Sequence, residues 1–376
     1  MLIAEKTPVG RKVKFLKWAS LFALMCQSVV ATAMLRYSRE RQPDPKKQYL
    51  TSSSVAMAEL YKLLMSSVFL LIDLDFSWSE YKTAFRQSFV LDWTDTLKSM
   101  LPAFLYLIQN NLLWAASNYL DPAVYLATYQ TKILTTALFM VVLLGRTISR
   151  IQWFSLLLLI LGVTLLQVGL HDHKGRILST DSLSEPLFGL LLLVTACFLS
   201  GFAGVYFELI LKSSPVSLWM RNVQMSSASL AFGIMTCYFY DAEVVWRKGL
   251  FHGFDWFVWL TIVAWASGGL LVACAIKYAD NIMKGFATAF AIVISAFTDS
   301  VFFGSRLTSV SQSGAALVVI SVLFYHGVCW GIFPRMRISF PKANTVSCIE
   351  PETTKVKTEI ISQSQKDSKS TALIDG

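Results

Sequence analysis

Apolar residues in this chain come in long, nearly unbroken runs, not in the alternation of a half-buried strand or the stripe of a surface helix. About ten runs can be read, near 15–35, 50–72, 99–117, 122–144, 151–170, 187–210, 218–240, 256–276, 282–303 and 311–333. A stretch of ~20 apolar residues is long enough to cross the hydrocarbon core as a helix. The pattern therefore predicts an all-α polytopic membrane protein with about ten transmembrane helices. Polar intervals near 36–49, 73–98 and 171–186 read as loops. Beyond about 334 the chain is rich in Lys, Ser and Thr and loses its apolar runs, the signature of a disordered tail. The expected organisation is a cytosolic N-terminal segment (1–14), a membrane domain (15–333, in halves of about 15–170 and 187–333) and a disordered cytosolic tail (334–376).

Composition agrees. Hydrophobic residues make up 55% of the 376 and charged residues only 15%, with mean hydropathy +0.53; soluble domains carry roughly 25% charge. A net charge of +9 would suggest nucleic acid in a soluble protein. Here it reads as topogenic, because basic residues collect on the cytosolic side. Lys6, Arg11, Lys12, Lys14 and Lys17 lie at one end and Arg335, Arg337, Lys342, Lys355 and Lys357 at the other. Two basic ends on one side require an even number of crossings. Arg36, Arg39, Arg41, Lys46 and Lys47 argue the other way, since this arrangement puts them in the lumen. The basic, apolar start ending in "ATA" (31–33) resembles a signal peptide but reads better as an uncleaved first span.

The six cysteines show no CxxC spacing, and most lie in or beside apolar runs, so neither a disulfide framework nor zinc is indicated. "HDH" at 171–173 reads as a solvated loop, and His326 as a packed core residue. With no paired intramembrane acids and no Ser/His cluster, no enzyme, cofactor or metal is expected.

Two segments look like copies. "YLD" (119–121) and "YAD" (278–280) each open a long apolar run, and each run ends in a basic turn, "GRTIS" (145–149) or "GSRLTS" (304–309). If they correspond, the chain is two five-helix repeats. An odd helix number inverts one repeat relative to the other, and such folds bind substrate near the midplane.

The charges within these runs carry the chemistry. Lys132 lies eleven residues after Asp121 and fourteen before Arg146, about 16 and 21 Å at helical rise, too deep to snorkel easily. An ammonium at mid-membrane costs about 2.5–3.5 kcal/mol on insertion scales. Either it is paired internally, with Glu59 or Glu208, or it lines a wet cavity. Lys284 lies four residues after Asp280, where snorkelling competes. Two ammonium groups from opposite halves suit an extended anion such as a diphosphate. Glu59 and Lys62, at i,i+3, share a helix face and read as an internal neutral pair or a gating or coupling pair. Tyr106, Asn110, Asn111, Tyr125, Tyr129, Arg221, Asn222 and Gln224 add polar and aromatic groups. Amides read base edges and tyrosine rings stack on bases, although each singly serves as helix-packing glue. "GFAG" (201–204) and "GG" (268–269) read as close-approach points between helices.

"QNNLLWAASNYLDPAVYLATYQTKILTTALF", "SGFAGVYFE", "SLWMRNVQM" and "GGLLVACAIKYADNIMKGFATAF" resemble the Golgi nucleotide-sugar transporters of the drug/metabolite transporter superfamily, over roughly 12–333. The resemblance implies ten helices, cytosolic termini and exchange of a cytosolic nucleotide sugar for a lumenal nucleoside monophosphate. It places Lys132 and Lys284 on the phosphates and Tyr106, Asn110, Tyr125 and Asn222 around the nucleoside; Gln224, on the same apolar run as Asn222, is a further candidate substrate contact. It also makes Glu59 and Lys62 the family's functional pair. It implies a Golgi membrane, with the endoplasmic reticulum open, and leaves a homo-oligomer open. After "GVYFE" the family usually has Lys where this chain has Leu209, whereas Ser226, Val272 and Ala273 depart from the CMP-sialic acid carriers. They favour the UDP-galactose and UDP-N-acetylglucosamine branch. A CMP-sialic acid/CMP exchanger and another solute carrier of the superfamily are the alternatives.

Overall fold

The structure, a computed structural model, describes residues 8–42, 48–170, 184–214, 216–303 and 307–326. The tail at 334–376, the "HDH" loop and the first residues of the N-terminal segment lie outside the described residues. The helices are α1 (Pro8–Glu40), α2 (Thr51–Asp73), α3 (Trp78–Arg86), α4 (Trp93–Ser117), α5 (Pro122–Tyr129), α6 (Lys132–Leu144), α7 (Arg150–Leu170), α8 (Ser184–Ser213), α9 (Leu218–Tyr240), α10 (Ala242–Lys248), α11 (Trp256–Tyr278), α12 (Asn281–Phe303) and α13 (Ser309–His326). One π-helical turn, Gln87–Leu91, joins α3 to α4. No strand occurs among the described residues.

Among the described residues helix covers each apolar run read from the sequence, in two pieces over 122–144. Among the described residues seven spans are long and apolar enough to cross a membrane, formed by α1, α2, α5 with α6, α7, α8, α11 and α12, while α13 is a shorter apolar helix. Of the rest, α4 and α9 carry buried polar groups that meet each other. Arg221 of α9, 1% exposed, donates to both carboxylate oxygens of Asp95 on α4, at 2.7 and 3.2 Å, and to the Ser99 hydroxyl. Gln224 donates to Thr96 at 2.7 Å.

Local chemistry sets the ends. Ser77, Ser217 and Asp255 each accept the N–H three residues on, as N-caps. Gly145 closes α6 in the left-handed region, φ 62°, which glycine adopts without strain.

Packing is reciprocal between the two halves of the chain. Helix α1 lies against α11 and α12, and α8 lies against α4 and α6; α2 pairs with α9 and α7 with α13. Close approach needs missing side chains. A Cβ at Gly201 would sit 2.6 Å from Thr135 Oγ1 and 2.8 Å from the Thr136 backbone nitrogen, and one at Gly314 would sit 2.7 Å from the Gly162 carbonyl. These are the contacts that seat α8 on α6 and α13 on α7.

Candidate functional site

The sequence expectation of one helix over 122–144 needs a correction. The helix breaks at Gln130 and Thr131, and Lys132 is the first residue of its second half. Across the break the bonds tighten to i→i−3: Gln130 N–H to Ala127, Thr131 N–H to Thr128 and Ile133 N–H to Gln130. Side chains brace the break, and the Cys197 thiol of α8 lies 3.8 and 3.6 Å from the Thr128 and Tyr129 carbonyls. The Thr131 hydroxyl donates to Thr128 at 2.7 Å, Gln130 Nε2 to Gln167 Oε1 at 2.8 Å, and the Thr135 hydroxyl to the Cys197 carbonyl at 2.8 Å. Irregular backbone at membrane depth is tolerated where protein or a cavity satisfies it. Here there is a cavity beside it.

That cavity has a volume of about 790 Å³ and draws its wall from α1, α4, α5, α6, α7, α8, α11 and α12, hence from both halves. Its size is that of a small-molecule site. Lys132, Lys284, Tyr106 and Tyr125 all line it. Tyr125 and Tyr129 stack with centroids 6.2 Å apart, and the Lys132 ammonium lies 3.8 Å from the Tyr129 ring centre, a cation–π contact.

Neither lysine has an ion-pair partner among the described residues. The two carboxylates that might have neutralised Lys132 are engaged elsewhere. Glu59 is 2.6 Å from Lys62. Glu208, fully buried, accepts from Lys212 at 2.7 Å and from the Asn281 N–H at 2.9 Å, with Arg146 at 3.7 Å. Asp299, also on the cavity wall, is held by Arg36 at 2.9 Å. The wall thus carries two lysines whose ammonium groups form no ion pair among the described residues.

At its Asn281 end the cavity adjoins a neutral cluster. Arg146 donates to Asp280 at 2.9 Å, Lys212 bonds Glu208 and the Ala279 carbonyl, and Asp280 caps α12 through the Met283 N–H at 2.8 Å. Two cations balance two anions, so this end adds no net charge to the site.

The other expected residues sit elsewhere. Asn110 is exposed and off the cavity wall, where Gln109 of the same helix lies instead. Asn222 is buried away from the cavity, and Gln224 belongs to the Arg221–Asp95 network. Glu59 and Lys62 form their own pair, with the Lys62 stem against Gly269 of α11. Gln109, Gln130, Gln167 and Asn281, all on the wall, were not singled out from the sequence. Gln109 could have been, because it lies three residues after Tyr106 and so on the same face.

The sequence profile of the nucleotide-sugar transporter family matches residues 12–326. A UDP-galactose/UDP-N-acetylglucosamine transporter of Caenorhabditis elegans is 39% identical over 337 residues, 89% of each chain. The human UDP-N-acetylglucosamine transporter is 39% identical over 312 residues, 82% of this chain and 95% of its own. The dog UDP-galactose translocator is 38% identical over 311 residues, 82% and 77%. One crystal structure superposes with a TM-score of 0.59 at 13% identity, covering 84% of this chain and 99% of its own, a likeness of fold alone.

Proposed function

The chain belongs to the nucleotide-sugar transporter family, and on that premise we propose that it carries a UDP-sugar, UDP-galactose or UDP-N-acetylglucosamine, in exchange for UMP. The relatives described above are named for those substrates. One observation carries the reading. Lys132 and Lys284, from opposite halves, share a cavity wall with no carboxylate left over for them. A diphosphodiester carries two negative charges and a nucleoside monophosphate about −1.5 to −2. Two ammonium groups therefore balance either ligand, and one site serves outward and return journeys without a net charge being moved into lipid. Tyr106 and Tyr125 offer ring faces for the base, and the break before Lys132 turns the N–H end of a half-helix toward the anion.

The reciprocal packing supports two inverted five-helix repeats. Under an exchange of halves α1 becomes α8, α11 becomes α4 and α12 becomes α6, so each contact maps onto its partner contact. The repeated "YLD"/"YAD" and "GRTIS"/"GSRLTS" landmarks follow the same exchange. On this reading the chain crosses the Golgi membrane ten times with both termini cytosolic, and works by alternating access as one half rocks against the other.

Counterflow tests the proposal. The protein in proteoliposomes preloaded with UMP is expected to take up labelled UDP-galactose or UDP-N-acetylglucosamine, and with CMP to take up neither. Uptake driven by CMP moves the substrate to the sialic acid branch, and uptake driven by neither nucleotide overturns the exchange.

A further inference from the structure

After α2 leaves the membrane the chain turns through Asp75 and Phe76, both at positive φ (49° and 58°), and α3 begins at Trp78. We propose that α3 and its π-helical turn form an in-plane anchor whose partner is the headgroup region of the bilayer. At 100° per residue α3 divides into three sectors. Tyr81 and Ala84 face the protein, packed with Phe89 of the π turn around Leu70, Met220 and Val223. Trp78 and Phe85 fall in a second sector and are exposed. Ser79, Glu80, Thr83 and Arg86 make an exposed polar third. Lys82 sits at the boundary, its ammonium 5.8 Å from the Trp78 ring.

The chemistry names the occupant. Phe76, Trp78, Phe85, Val90, Leu91 and Trp93 are all large, apolar and exposed within one short connection, more than a water-facing loop carries. The connection joins the end of membrane-spanning α2 to the start of α4, so these rings sit where crossing helices meet the headgroups. Tryptophan and a stem-buried lysine are suited to that depth, and an apolar sector beside a polar one is the pattern of a helix lying in the interface. The anchor is rigidly mounted. Trp78, Tyr81, Phe85 and Phe89 form a stacked ladder with centroids 5.1, 6.4 and 4.4 Å apart. The Ser88 carbonyl accepts from Thr96, which in turn accepts from Gln224 of α9.

Nitroxide labels placed singly at positions 78, 80, 83 and 85 of the full chain, in a background without native cysteines and in lipid bilayers, read the arrangement. Labels at 78 and 85 are expected to collide more with oxygen than with an aqueous nickel chelate, and labels at 80 and 83 the reverse. Nickel dominating at all four positions places α3 in water, and exclusion of both reagents at 78 and 85 means that protein covers them; either overturns the proposal. Trp78→Phe in the native-cysteine protein is an independent check. It is expected to lower quenching of tryptophan emission by lipids brominated just below the headgroup, and unchanged quenching counts against the anchor.

Discussion

The Arg146 guanidinium lies 2.9 Å from the Asp280 carboxylate and so ties the turn after α6, in the first half, to the start of α12, in the second. Arg146 and Asp280 belong to the two repeated landmarks of the sequence, and the fold bonds one landmark to the other across the halves. The arginine side chain is 43% exposed, so water screens the pair and its worth is about 1 kcal/mol.

Breaking this pair is expected to slow exchange without abolishing nucleotide binding. Arg146→Ala should lower the counterflow rate roughly fivefold, the equivalent of about 1 kcal/mol, while the Kd for UMP stays put. Asp280→Asn keeps an oxygen for the Met283 cap and loses the charge, so the double variant should be little worse than Arg146→Ala alone. Fully additive losses in that cycle would show that the two residues act independently.

Lys132→Met should insert and unfold like the parent yet bind UMP at least thirtyfold more weakly, from the loss of about 2 kcal/mol or more in a charged contact. Lys284→Met is expected to behave likewise. Uridine, which has no phosphate, provides the contrast: its weak affinity should not change in either variant. Titration calorimetry in detergent reads all these values, and an equal loss for uridine and UMP would point to a damaged fold.

Gly201→Ala places a methyl 2.6 Å from Thr135 Oγ1 and 2.8 Å from a backbone nitrogen, atoms with little room to yield. Forcing α8 from α6 is expected to cost about 1–3 kcal/mol, seen as a lower Tm of the purified protein. An unchanged Tm would mean that the two helices pack less closely than the contact implies.

Arg221→Ala is expected to destabilise the protein by about 2–4 kcal/mol, because Ser99 and Gln224 lose a buried charged donor. Asp95 is itself 37% exposed, which lets water relieve part of the loss. Arg221→Lys should recover little, since an ammonium cannot reproduce the two-oxygen grip on Asp95. Denaturant or thermal unfolding measures both, and equal stability of the Lys and parent proteins would contradict a forked contact.

Much of the architecture was legible because it is local. A run such as 256–276 has no charge and no proline, and bilayer thickness alone then requires helix. Lys132 stood out for the same reason, since a single ammonium in such a run needs an explanation that only water, a partner or a ligand can supply. The chain's own residues determined the apolar spans, the two odd lysines and the repeated landmarks.

Tertiary structure decided what depends on residues far apart in sequence. Glu59 and Glu208 were both plausible partners for Lys132; each is held by a lysine of its own helix, Lys62 and Lys212, and what packing adds is the hold of the Asn281 N–H and of Arg146 on Glu208. Asn110 and Gln109 both lie about one turn from Tyr106, and a difference of one residue, 100° of rotation, separates the cavity wall from the exposed side. The break at Gln130–Thr131 carries no glycine or proline to announce it. It is braced by groups from other helices: the Cys197 thiol of α8 reaches the Thr128 and Tyr129 carbonyls that the ladder gives up, and Gln167 of α7 holds the Gln130 side chain. Hydrophobicity acts on each segment by itself, whereas charge compensation and hydrogen-bond satisfaction are settled only when the helices meet.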